Sequence, residues 1–159
     1  MQLLLVLESE KDAITLCRLM NIFRRKGLKL ATLALSSGSE SYSIVVVAET
    51  TEAQADHLFH FLRRTSGVRH VTSYRPEAPT EAPFIFVDAA GGSVTLARLQ
   101  EAFPESEIIF ASGGKFLVSN PNRVSPSARE LGEARYVPMA PAQSTRSAET
   151  QSLAVVLAG

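Results

Sequence analysis

Residues 3–27, LLLVLESEKDAITLCRLMNIFRRKG, constrain the fold more than any other stretch of the chain. Leu3 to Leu7 is an unbroken apolar run of strand length, which suits a central strand buried on both faces. From Asp12 the apolar spacing changes to Leu16, Leu19, Met20 and Phe23, the period of an amphipathic helix. Ser9 followed by Asp12 is a loose form of the Ser-x-x-acid pattern that opens helices. Arg24, Arg25 and Lys26 fall in the last turn, where cations suit the helix dipole, and Gly27 is placed to end it. A strand thus meets a helix through the short polar turn Glu8–Ala13. At such a junction exposed backbone N–H groups can hold an anion. On this spacing Cys17 is expected to be a small buried core residue.

The rest of the first half completes one plan. Leu28–Ser36 reads as a second strand, residues 36–40 (SSGSE) as a turn, and Tyr42–Glu49 as a third strand rich in β-branched residues. Thr51-Glu52-Ala53-Gln54 is a capping box, and the helix after it carries Ala55, Leu58, Phe59 and Leu62 on one stripe before Gly67. Val68–Tyr74 is a fourth strand, ended by Pro76. The order is β-α-β-β-α-β, the ferredoxin-like plan of α+β proteins. Right-handed crossovers place both helices on one face of a four-stranded antiparallel sheet. The other face is expected to be bare and to need a partner.

Residues 77–83, with two prolines and two acids, read as a linker. A shorter pattern follows over 84–140: strand Phe84–Asp88, a turn at Gly91-Gly92, helix Val94–Phe103, strands Glu107–Ala111 and Lys115–Ser119 flanking Gly113-Gly114, a short helix from Pro126 to Leu131, and strand Tyr136–Met139. This is compatible with a smaller, degenerate βαββαβ-like second domain. Residues 141–159 read as a flexible tail whose apolar end, Leu153–Leu157, has no assigned partner.

Composition narrows the function. The formal net charge is zero, which disfavours nucleic-acid binding through a general basic field. The charge is divided unevenly: residues 1–76 carry 10 Lys/Arg and 7 Asp/Glu, residues 77–159 carry 6 and 9. No aromatic stacking platform for RNA stands on the central strands, and no apolar run is long enough to span a bilayer. A single cysteine permits no internal disulfide and suits a cytoplasmic setting. No catalytic set is legible. His57 and His60 share a helix face without a third metal ligand at a suitable spacing, and Gly91-Gly92-Ser93 lacks the lysine of a phosphate-binding loop. No catalytic residue, metal or cofactor is expected.

Residues 1–76 resemble an ACT domain, and most closely the amino-terminal domain of the acetolactate synthase small, regulatory subunits. The resemblance rests on Leu16 and Arg18 at the family's helix positions, on Phe23 and Gly27 in its F-x-x-(R/K)-G pattern, and on Val68 and Val71 in its V-x-x-V fourth strand. It implies a non-catalytic subunit that dimerises through its ACT sheets. Such a subunit binds a thiamine-diphosphate-dependent catalytic subunit, raises its activity and confers feedback inhibition by branched-chain amino acids. The effector-binding positions it implies are Ser9, Glu10, Lys11, Asp12, Ala13, Ile14 and Lys29. Lys11 stands where the family has Asn, Ile14 where it has Gly, and Lys29 where it has a second Asn. A β-branched residue obstructs approach to the backbone N–H groups, and lysine donates but cannot accept. Loss of ordinary valine sensing is therefore expected. The alternatives are that both lysines are solvated surface residues or that they favour a more anionic effector. A free-standing ACT-type sensor acting on some other protein is the competing expectation.

Overall fold

The structure is a computed structural model that describes residues 1–89, 96–112, 114–123, 134–145 and 156–157. The chain forms two compact units. One comprises residues 1–75 with the described part of 141–151; the other comprises the described residues of 76–140 and 152–159.

The first unit follows the ferredoxin-like order: β1 Gln2–Glu10, α1 Ala13–Arg25, β2 Lys29–Ser37, β3 Ser41–Glu49, α2 Glu52–Leu62 and β4 Val68–Pro76. Its strands lie in the order β2-β3-β1-β4, all neighbours antiparallel. The central position of β1 explains its continuous apolar run, since Leu3, Leu4, Leu5 and Leu7 are each at most 1% exposed. Leu3, Leu5 and Leu7 join Ile44, Val46 and Val71 beneath Leu19, Ile22 and Phe23 of α1 and Leu58, Phe59 and Leu62 of α2. Each such side chain contributes about 1.5–3 kcal/mol by leaving water.

The Gly27 stop and the Thr51 capping box are used as expected, but the Ser9-x-x-Asp12 pattern is not: Ser9 lies in β1, its hydroxyl bonded to Glu10 O, and Asp12 itself is the N-cap. Gly27 (φ 64°) follows α1 in the left-handed region. Gly27 N–H donates to Arg24 O (3.1 Å) and Leu28 N–H to Phe23 O (3.2 Å), the paired bonds of a Schellman motif. Thr51 and Gln54 complete the capping box of α2.

Three further expectations for this unit are corrected. The sheet face away from the helices is not bare, because Leu4, Val45, Val47 and Tyr74 are buried within the single chain. Cys17 is exposed; it lies about 160° around α1 from Leu19, so the turn that buries Leu19 turns Cys17 outward. Residues 141–145 do not form a loose tail. Thr145 N–H donates to Val71 O (3.0 Å), Thr145 Oγ1 accepts from Val71 N–H (3.0 Å), and the Ser144 and Thr72 hydroxyls pair at 2.9 Å. Hydroxyl side chains that look like loop composition here satisfy the backbone of β4.

The second unit contains β5 Phe84–Asp88, α3 Leu96–Ala102, β6 Ile108–Ser112, β7 Lys115–Ser119, the part of β8 Arg135–Ser144 up to Ala140, and β9 Val156–Leu157. Its sheet order is β8-β5-β7-β6-β9. Without β9, this is the order of the first unit with β5, β6, β7 and β8 in the places of β1, β2, β3 and β4. β9 pairs in parallel with β6, which places Val156 and Leu157 of the apolar end that the sequence left unassigned; residues 153–155 lie outside the described residues. Ile85, Val87, Leu99, Phe103, Phe116 and Val118 form its core. Lys115 and Asp88, opposite one another in register, form an ion pair at 3.0 Å. The turn expected at Gly91-Gly92 and the short helix expected at 126–131 lie outside the described residues.

Candidate functional site

The junction between β1 and α1 is tighter than the sequence suggests. β1 continues to Glu10, and Ser9 is completely buried, its hydroxyl donating to Glu10 O (3.1 Å). Glu10 N–H donates to Gly67 O (2.8 Å), tying the strand end to the loop that precedes β4. Lys11 Nζ donates to Gly38 O (2.9 Å) in the turn between β2 and β3.

Asp12 occupies the end of the helix. Its carboxylate accepts from Ile14 N–H (3.2 Å) and from the Thr15 hydroxyl (3.3 Å). The positive end of the α1 dipole is therefore already met by a carboxylate of the chain itself. A second carboxylate brought there would meet like charge and lose the Ile14 N–H as a donor. Ile14, in the first turn of that helix, is 67% exposed.

Of the seven positions implied by the resemblance, Ser9 to Ile14 are brought together at this junction and Lys29 is not. Lys29 begins β2 and lies in register with Glu49 and Gln2, whereas Ser37, Tyr42 and Ser9 align at the other end of the sheet. Seven residues of strand, about 23 Å, separate the two ends. Within one chain Lys11 and Lys29 cannot share an effector.

Sequence reasoning missed a second concavity. A groove of about 1030 Å³ runs between α1 and α2, away from the sheet. Ile14, Ile22 and Phe61 supply its apolar surface, and Arg18, Arg25, Lys26, Arg64, His57 and His60 line it. No carboxylate is among its lining residues. The legible signal was a second stripe on each helix, 14-17-18-21-25 on α1 and 57-60-61 on α2, overshadowed by the apolar stripe facing the sheet.

Among the described residues no group of three or more His, Cys, Asp or Glu could hold a metal ion, and no helix is long and apolar enough to cross a membrane. No protein-family model matches the sequence. No curated protein matches it either. Among solved structures the chain is similar to the acetolactate synthase small subunit from Thermotoga maritima, at 11% identity and a TM-score of 0.45 over 92% of this chain and 99% of that one. Identity this low says nothing of function.

Proposed function

We propose that this chain is a non-catalytic regulatory subunit of acetolactate synthase, acting in branched-chain amino-acid biosynthesis, with weakened or lost valine feedback. The observation that carries the reading is the β1–α1 unit. Its helix holds Leu16, Arg18 and Phe23, and the turn after it Gly27, at the positions of the resemblance, while its ligand end holds Lys11 and Ile14 and is closed by Asp12. Such a unit keeps the scaffold of an effector domain and gives up the open helix end that a free amino acid's carboxylate needs.

The test pairs the protein with the thiamine-diphosphate-dependent catalytic subunit from the same genome. The expected result is copurification and an increased acetolactate synthase rate. Isothermal titration with valine, leucine and isoleucine is expected to give no micromolar binding. An unchanged rate overturns the regulatory role and favours a free-standing ACT-type sensor of another protein. Micromolar binding of any of the three overturns the loss of sensing alone.

A homodimer belongs to the same reading. β2 lies at the end of its sheet and exposes Leu30, Leu33 and Leu35 by 41%, 46% and 49%. A nine-residue edge strand with three exposed leucines, no proline and its only charge at Lys29 is a template for pairing with a second copy. Light scattering after size exclusion is expected to give a dimer, and Leu33→Lys a monomer of unchanged helix content. A wild-type monomer at tens of micromolar would exclude the dimer.

A further inference from the structure

The groove between α1 and α2 takes no part in that reading. One wall is the outward stripe of α1, spaced i, i+3, i+4, i+7 over 14-17-18-21, and the other is His57, His60 and Phe61 of α2 with Arg64 in the turn after it. Several of its cations are held in place. Arg18 Nη1 donates to Ser66 O (2.9 Å), Lys26 Nζ lies 2.9 Å from His57 Nε2, and the same Nζ sits 4.9 Å from the centre of the Phe61 ring. Among the described residues Arg25 and Arg64 have no ion-pair partner. Cations of one sign gathered along a slot without a carboxylate repel one another and favour an acidic occupant.

The apolar surface narrows the choice of occupant. Ile14 and Phe61 are 67% and 46% exposed, and burying either against an apolar group is favourable. A nucleic-acid backbone offers no apolar group to meet them. A flat bilayer meets the rims of a concave slot rather than its floor. The volume, about 1030 Å³, far exceeds a single amino acid or inorganic phosphate. α1 has 13 residues and α2 has 11, so the shared length is about 16 Å, three turns of a further helix. We propose that the α1–α2 groove docks an acidic amphipathic helix of a partner protein. The partner's apolar stripe lies on Ile14 and Phe61, and its flanking carboxylates meet Arg25, Lys26 and Arg64.

Cys17 makes the test direct, because it is the only cysteine, is exposed and lines the groove. The full chain is titrated with a fluorescent helical peptide of about 14 residues, leucine at i, i+3, i+4 and i+7 and glutamate elsewhere, and with the same peptide carrying lysine for glutamate. Fluorescence anisotropy is expected to give a dissociation constant of tens of micromolar for the glutamate peptide at low salt, weakening as salt rises. The lysine peptide is expected to bind at least about tenfold more weakly. At saturation the glutamate peptide is expected to slow Cys17 alkylation at least about fivefold. The Arg25→Glu, Arg64→Glu variant is expected to lose at least about tenfold in affinity with an unchanged circular dichroism spectrum. The proposal is overturned by failure to saturate at about 1 mM, by equal binding of the two peptides, or by saturation that leaves Cys17 as reactive as before. Protection of Cys17 by phosphatidylserine vesicles but not by the glutamate peptide would assign the face to a membrane and overturn it equally.

Discussion

Phe23→Ala is expected to destabilise the first unit by about 3–5 kcal/mol, the largest effect of any single truncation in α1. Phe23 is 2% exposed and packs in the cluster that joins α1, α2 and the sheet. The cost has two parts: the transfer energy of the ring, and the cavity left between elements that cannot close without moving the sheet. Its backbone carbonyl also accepts from Leu28 N–H, so the residue sits where the helix end is fixed. Thermal unfolding followed by circular dichroism should show a midpoint lowered by about 10 °C or more. Leu16, which is only partly buried beside the same cluster, provides the comparison. Its replacement by alanine should cost clearly less. A Phe23→Ala loss below about 1 kcal/mol would mean that α1 does not pack on the sheet as described.

Gly67→Ala is expected to be the costliest glycine substitution in the first unit, about 2–3 kcal/mol. Gly67 has φ +91°, which side-chain-bearing residues rarely adopt. A Cβ there would lie 2.5 Å from Thr15 Oγ1 and 2.7 Å from Thr15 Cγ2. Thr15 cannot easily yield, being 2% exposed and bonded through its hydroxyl to Asp12. Gly67 O also receives the Glu10 N–H, so the strain would reach the end of β1 and the candidate site. The two causes separate in a double-mutant cycle. Thr15→Ala removes Oγ1 and Cγ2, so Gly67→Ala should cost about 1 kcal/mol less in that background, while the backbone strain persists. Strictly additive losses would show that the contact with Thr15 is not the cause.

The helices and strands of residues 1–76 were legible because each carries several agreeing local signals. The α2 stripe Ala55, Leu58, Phe59 and Leu62 is buried as its spacing requires, between a Thr51 capping box and a glycine. The second unit was harder to read, since β5, β6 and β7 are five residues long and α3 seven. Short elements leave few repeats from which to recognise a period.

The candidate site was legible in position but not in state. Residue types put a polar turn at a helix end. That Asp12 itself fills that end, and that Lys29 lies at the far end of the sheet, depends on cap geometry and strand register. The groove was hidden for a different reason. Its basic residues read as an ordinary solvated helix face until two such faces stand side by side.

The sequence by itself determined the strand–helix–strand order of the first unit, the main residues of its core, the glycine that ends α1 and the capping box of α2. Those are set by interactions within a few residues or by the period of apolar side chains. Only the tertiary structure decided that the second face of the sheet is buried within the chain, that Cys17 faces outward and that residues 141–145 bond to β4. Each depends on groups far apart in sequence, and no local pattern records which distant partner will satisfy a face or an edge.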